Sequence, residues 1–536
     1  MKRTLTKSCT VLVLASVLFV FASCSGKDET NTASIPTNKT TVSTAVDAKQ
    51  LPELANQIII GRLGDSAYLD PNAPTVGGSE VTVTQQIYEG LVTVNDDGTT
   101  IIPNLATDWT ISDDGLTYTF NLKPNVKFSD GTPVTGADWI WSFLRARDLK
   151  TSSYRFIAEE IKDVQATDSQ VIVTLSYPWA PFLADLCCFN MVVGSKSYFD
   201  KVGESAYQQN PLGTGPYRLK EWKKENYILL EANPYYHEEG LPKTKEIKFS
   251  VIPDDNTRLM QLQAGQIDIA NDIPFTLINP IRADKKLAVE IFPSTQIRYL
   301  ILNTTLAPFN DPKVREALSY GINKKEISDL VAGEYGAPVA ALVSESEGKW
   351  HNSDLKVIEY NADKAKKMLS DAGYTAPIPF TISVYSGSAI YEQVATLLKS
   401  ELDKAGFAVT IETLERASIS QKYTTLSHQA TILQWVDDIT DPSGITGWTV
   451  DYDQCDAWYT GLKDQELEDL NKAASQELNE SKRVEMYHEI QKQIYDNANV
   501  IPLFRNGFAY AYSKNISGLH VSPFSVFFAK NITKTK

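Results

Sequence analysis

The chain predicts a mixed α/β protein of two or three lobes, on three observations. Its 536 residues exceed the ~100–200 residues of a typical single domain. Up to about residue 300 the apolar residues fall in short runs separated by turns, the texture of strands. Beyond it, capped amphipathic helices alternate with strands, the order that builds an α/β lobe. A hydrophobic content of 43% against 22% charged residues is ordinary for a soluble globular body. The formal net charge of −15 argues against nucleic acid as a partner, because phosphate binding needs clustered Lys and Arg.

The N-terminus has its own logic. Lys2, Arg3 and Lys7 precede an apolar stretch from about Cys9 to Ala22, shorter than the ~20 residues that span a bilayer. Small residues Ala22 and Ser23 follow, then Cys24. Basic, apolar and small segments in that order read as a secretory signal covering residues 1–23. Cys24 at the cleavage point resembles the bacterial lipobox, in which the cysteine carries acyl chains. Residues 24–50 contain Ser, Thr, Asn, Lys and Asp with few large apolar residues, and read as a flexible tether.

Folded sequence begins at the apolar run Ile58-Ile59-Ile60-Gly61, a buried strand. Residues 117–122 alternate apolar and polar, with Asp113-Asp114-Gly115 supplying the turn in front. Residues 171–175, 226–231 and 245–252 are further strands. Asp311-Pro312 places an N-cap before a proline at the first helical position, opening a helix over 313–320. Asn361 caps a second helix that Gly373 ends. Residues 389–404 form a third, stopped by Gly406, and 407–414 return as a strand. Residues 464–478 and 481–497 are two more amphipathic helices.

Enzyme signatures are missing. There is no G-x-S-x-G elbow, no Walker loop and no H-E-x-x-H, since His488-Glu489 has no second histidine four positions on. Gly213-Thr214-Gly215-Pro216 lacks the third glycine of a dinucleotide loop and reads as a tight turn in which glycine permits φ > 0. A carboxylate pair for glycoside cleavage is not excluded by spacing alone. Of the cysteines, Cys187, Cys188 and Cys455 remain for the body, too few for a disulfide framework. They read as buried thiols, with a bridge from Cys455 to one of the pair as the alternative.

An ordered set of segments carries the positive signal. Asp108-Trp109-Thr110-Ile111-Ser112-Asp113-Asp114-Gly115 runs on to Val126-Lys127-Phe128-Ser129-Asp130-Gly131-Thr132-Pro133. Gly213-Thr214-Gly215-Pro216-Tyr217, Asn233-Pro234-Tyr235-Tyr236, Leu262-Gln263-Ala264-Gly265-Gln266-Ile267-Asp268 and Phe309-Asn310-Asp311-Pro312 follow. Together, over about residues 55–530, the chain resembles the oligopeptide- and dipeptide-binding lipoproteins of ABC importers, solute-binding protein family 5. Most of these segments are scaffold: hairpins, turns and a capped helix.

The resemblance implies a two-lobed α/β fold of the type II periplasmic-binding-protein kind, with an inserted domain and a hinge. Residues 51–98, 195–298 and 504–536 would form the first lobe, 99–194 the inserted domain and 299–503 the other lobe. It places the ligand at Gln434-Trp435-Val436-Asp437-Asp438-Ile439-Thr440-Asp441-Pro442. There Asp438 would pair with a peptide α-ammonium, because a charge-assisted bond strengthens where water is excluded. Trp435 would supply apolar wall. The backbones of Gln434 and Val436 would pair with the peptide as an added strand, opposite a strand near Val83 and Thr84. The alternative for Asp438 is a solvated acidic loop shared with Asp437 and Asp441.

One departure bears on ligand length. Dipeptide-binding relatives carry an arginine just before the helix corresponding to 389–404, but Ser383-Val384-Tyr385-Ser386-Gly387-Ser388 has none. Arg298, Arg416 and Arg505 are the possible substitutes, and longer peptides become the favoured ligand. The implied function is capture of peptides and delivery to an importer permease by a monomer without cofactor or metal, anchored outside the cytoplasm through lipid on Cys24. Other readings are a nickel chelate, haem or oligosaccharide as solute, a sensor or adhesin, or a surface hydrolase.

Overall fold

Three large sheets organise the described residues, with two two-stranded ones beside them. In the computed structural model, residues 53–536 are described, apart from Thr75, Ala376 and Gly387. The signal, Cys24, the tether and the side chains of Arg416 and Cys455 therefore lie outside the described residues.

The first sheet has seven strands. At its centre Gln57–Arg62 runs parallel to both Glu246–Val251 and Ile269–Ala270. Tyr227–Ala232 and Tyr217–Lys223 extend one side, while Phe508–Ser513 and Leu287–Phe292 close the other. The second sheet has six strands and is built around Ile297–Leu302. Every residue of that strand is buried, so it reads as the near-continuous apolar run that a doubly covered strand needs. Ala430–Trp435 and Val500–Asn506 flank it antiparallel, and Ile378–Tyr385 pairs parallel with Phe407–Leu414. The third sheet, four-stranded, comprises Ala106–Ile111, Thr117–Leu122, Ile161–Ala166 and Gln170–Leu175. Its alternation buries Tyr118 and Phe120 in one core with Trp139 and Phe143 of helix Gly136–Asp148, an element the strand-dominated reading of this half passed over.

The helices follow their caps. Asp311 accepts from Lys313 N before Pro312–Tyr320, and Asn361 from Lys364 N before Ala362–Asp371. Gly373 and Gly406 take φ of +95° and +96° where helices stop, backbone that glycine adopts without penalty.

The chain passes between the two large sheets twice, from Phe292 to Ile297 and from Asn506 to Phe508. The crossings lie against each other. A Cβ on Gly507 would sit 2.4 Å from Phe292 O, closer than any side chain tolerates. Ser294 Oγ donates to Asn506 O, and Asn506 Nδ2 donates to Gln296 Oε1 at 2.9 Å.

Two expectations are corrected. Val83 and Thr84 do not lie on a strand; they end the helix Gly78–Thr84. The resemblance implied a strand there, but the Glu80 carboxylate accepts from Gly77 N at 3.0 Å and Ala67 N at 2.7 Å, fixing a helical start. Val83 is then buried with Ile58, Ile60 and Ile87, and Thr84 Oγ1 bonds back to Glu80 O at 3.1 Å. Second, Gly213 and Gly215 do not have positive φ. They are glycine because Ile87 O and Gln86 O would stand 2.1 and 2.6 Å from added Cβ atoms. Cys187 and Cys188 are free thiols, the first of the two readings of these cysteines; Cys188 is buried, and burial pushes both thiols well up.

Candidate functional site

A cleft of about 520 Å³ opens where the three sheet modules meet, within the ~300–1,000 Å³ range of small-ligand sites. Carboxyl ends of strands supply much of its wall, the usual position for a site in an α/β sheet. Arg62 ends the central strand of the first sheet. Asn271 and Asp272 follow Ile269–Ala270, and Gln434, Trp435, Val436 and Asp438 close Ala430–Trp435. Tyr154 reaches in from the four-stranded module.

The structure brings together four of the six ligand residues expected from sequence. Gln434, Trp435, Val436 and Asp438 line the cleft; Val83 and Thr84 do not, though Val81 and Thr82 of the same helix do. Trp435 meets Trp448 at a tilt and Trp458 edge-on, at ring separations of 5.3 and 5.9 Å, and its indole N–H donates to Asp437 Oδ1 at 2.9 Å. Strand Ala430–Trp435 pairs along one edge with Ile297–Leu302. On its other edge only Ala430 and Thr431 pair, with Ile382 and Ser383. Among the described residues, the last part of that edge, toward Gln434 and Trp435, has no strand partner, which is the geometry an added strand requires.

The acidic loop is not a solvated one. Its three aspartates are separated by their partners. Asp441 is buried and takes both guanidinium nitrogens of Arg483, at 2.8 and 2.7 Å. Asp437 is buried, receives Trp435, and neighbours the buried Glu347; burial drives both carboxyls up. Its backbone N–H donates to Thr295 Oγ1 at 2.9 Å, tying the loop to the crossing between sheets. Asp438 alone lines the cleft. Tyr154 OH donates to its Oδ2 at 2.9 Å, and among the described residues no group bonds its Oδ1. Burial pushes this carboxyl up to about 6. An ionised oxygen with an unused lone-pair direction in such a cleft is completed by a cation that donates hydrogen bonds.

The arginines considered as substitutes for a carboxylate clamp are occupied elsewhere. Arg298 is buried and donates to Asn506 Oδ1, and Arg505 pairs with Glu345 at 2.8 Å. Neither lines the cleft.

The chain matches the profile of the bacterial extracellular solute-binding proteins, family 5 Middle, over residues 100–454. It belongs to that family. This family 5 protein is 29% identical over 485 residues to the probable D,D-dipeptide-binding periplasmic protein of Escherichia coli, covering 87% of this chain and 92% of the relative. It is 26% identical to a glutathione-binding protein of Salmonella paratyphi A, covering 88% and 93%. Among solved structures, an ABC transporter-associated periplasmic binding protein from Helicobacter pylori, in complex with the peptide STSA, superposes with a TM-score of 0.81. The two are 25% identical, over 90% of this chain and 99% of that one. The two-lobed α/β architecture expected from the sequence is thus the family's. No described helix is long and apolar enough to cross a membrane.

For a family 5 protein, the residues that sequence reasoning missed are those supplied at long range. Tyr154 stands 284 positions from Asp438, and no local pattern links them. Asn271, Asp272 and Gln296 likewise enter the wall only when the sheets assemble.

Proposed function

We propose that this protein captures peptides in the cleft and passes them to the permease of an ABC importer. The observation that carries the reading is Asp438: a cleft carboxylate with one oxygen that no group bonds among the described residues, beside a strand edge that has no partner among them. The peptide's α-ammonium pairs with Asp438, its backbone adds to the edge at Gln434 and Val436, and Trp435 packs against its side chains. Backbone pairing gives affinity without reading side chains, which suits varied peptides longer than two residues. Residues 51–98, 195–298 and 504–536 act as one lobe, 99–194 as an inserted domain and 299–503 as the second lobe. The crossings at 293–296 and Gly507 serve as the hinge. The protein works as a monomer without cofactor or covalent chemistry, held outside the cytoplasm by lipid on Cys24.

Titration calorimetry of Ala-Ala-Ala across pH tests this reading. The ammonium pairs only with ionised Asp438, whose ordinary carboxyl value is raised to about 6 in the free protein. Affinity is therefore full above that value and falls as pH drops through it, by about tenfold per unit. Above ~8 the peptide's own ammonium deprotonates and affinity falls again. An isotherm unchanged between pH 5 and 7 contradicts the pairing.

A further inference from the structure

Glu89, His237 and Glu238 come together away from the cleft, and none of them lines it. Glu89 follows the buried pair Ile87-Tyr88, while His237 and Glu238 sit in the loop that joins strands Tyr227–Ala232 and Glu246–Val251 of the first sheet. One ligand atom from each residue lies within 4.8 Å of the other two, and among the described residues no other group of three His, Cys, Asp or Glu does so.

The geometry suits an ion better than a single hydrogen bond. His237 Nε2 stands 3.1 Å from each carboxylate oxygen of Glu89, whereas one N–H donor points best at one acceptor. Ligand atoms held ~2.1 Å from a tetrahedral ion stand roughly 3.4 Å apart, so the pair needs little movement to chelate. A metal takes the Nε2 lone pair, with the ring proton on Nδ1. Both side chains are nearly closed off from water, at 9% and 8% exposed, which strengthens a bond to a cation.

Glu238 supplies the third ligand. Lys530 Nζ at 2.8 Å and Tyr236 OH at 3.1 Å both bond its Oε1, and among the described residues no group bonds its Oε2. The carboxylate can keep Lys530 and offer Oε2 to an ion. Tyr236 OH also donates to Glu89 Oε1 at 3.3 Å, so it holds both carboxylates in place as the outer partner of a metal site does. A cavity of about 110 Å³ opens against Glu89, Tyr236 and Lys530. It has room for the water that completes the coordination of an ion with three protein ligands.

We propose that Glu89, His237 and Glu238 bind one divalent transition-metal ion, Zn²⁺ in preference to Mg²⁺ or Ca²⁺ because one ligand is an imidazole. The ion clamps the chain that follows helix Gly78–Thr84 to the loop 233–245, and so braces the first sheet.

The test is calorimetry and thermal unfolding of the full chain, stripped with EDTA and titrated with ZnCl₂ at pH 7.5. One tight zinc per chain is expected, with a Kd below about 10 μM, and MgCl₂ and CaCl₂ should bind at least tenfold more weakly. Zinc at a hundredfold excess over Kd should raise the Tm by about 3 °C. His237→Gln keeps an N–H donor for Glu89, and Glu238→Gln changes a half-buried side chain, so the second variant carries the test if the first does not fold. Each should weaken zinc binding at least tenfold and cancel the rise in Tm. No zinc binding by the parent, or a parent-like zinc isotherm in Glu238→Gln or in folded His237→Gln, overturns the site. Magnesium or calcium bound as tightly as zinc overturns the choice of metal.

Discussion

Asp438→Ala is expected to weaken peptide binding by well over tenfold. The residue contributes an ionised oxygen that no group bonds among the described residues, in a cleft where a hydrogen bond to a charged group contributes ~1.5–3 kcal/mol, or roughly 10- to 150-fold in Kd. Asp438→Asn separates charge from shape. An asparagine keeps an acceptor for Tyr154 OH, so the contact between the four-stranded module and the loop survives, while the ion pair with the ligand does not. Both variants should lose affinity by calorimetry, with unfolding curves close to that of the parent. The pH dependence should also flatten in Asp438→Asn, because the group whose ionisation governs it is gone. An unchanged isotherm in either variant contradicts the assignment.

Arg483→Met is expected to produce the largest loss of stability, on the order of 3–5 kcal/mol. Arg483 and Asp441 form a bidentate pair with both side chains 6% exposed. Arg483 Nε also donates to Ala474 O at 2.9 Å, and the guanidinium lies 5.0 Å from the Trp350 ring. Removing the arginine leaves Asp441 as a buried charge with no counter-ion, a larger cost than the lost attraction alone. Replacing both, as Asp441→Leu with Arg483→Met, removes the stranded charge and should recover part of the loss; the double-mutant cycle measures the coupling. Denaturant unfolding followed by tryptophan fluorescence reads it. A single variant as stable as the parent would show that the pair does not brace the loop carrying Asp438.

Much of the fold was legible in the sequence because its signals are local. Asp311, Asn361 and Asp464 cap helices through bonds to their own next turn, and Gly373 and Gly406 end them through their own φ. Such information lies within a few residues. The segment Gln434 to Asp438 was legible for the same reason, as a contiguous pattern. What stayed hidden depends on residues distant in the chain. The run at Val81–Thr84 is β-branched by composition, yet Glu80 bonding Gly77 and Ala67 makes it helical, and burial beside Ile58 and Ile60 settles which way it faces. Gly213 was read as a turn glycine free to take positive φ, when the Ile87 carbonyl, far off in sequence, is what forbids a side chain there. The three aspartates of the loop look alike in sequence. Arg483, Glu347 and Tyr154 give them different roles, and those partners meet them only in the assembled fold.

Native mass spectrometry of the full chain, purified without added ligand, tests the central claim most directly. The account predicts a population carrying extra mass that tandem spectra resolve into short peptides, released when the sample is brought below pH 5 and absent from Asp438→Asn. A bound species that is not a peptide, or peptides retained equally by Asp438→Asn at every pH, would contradict it.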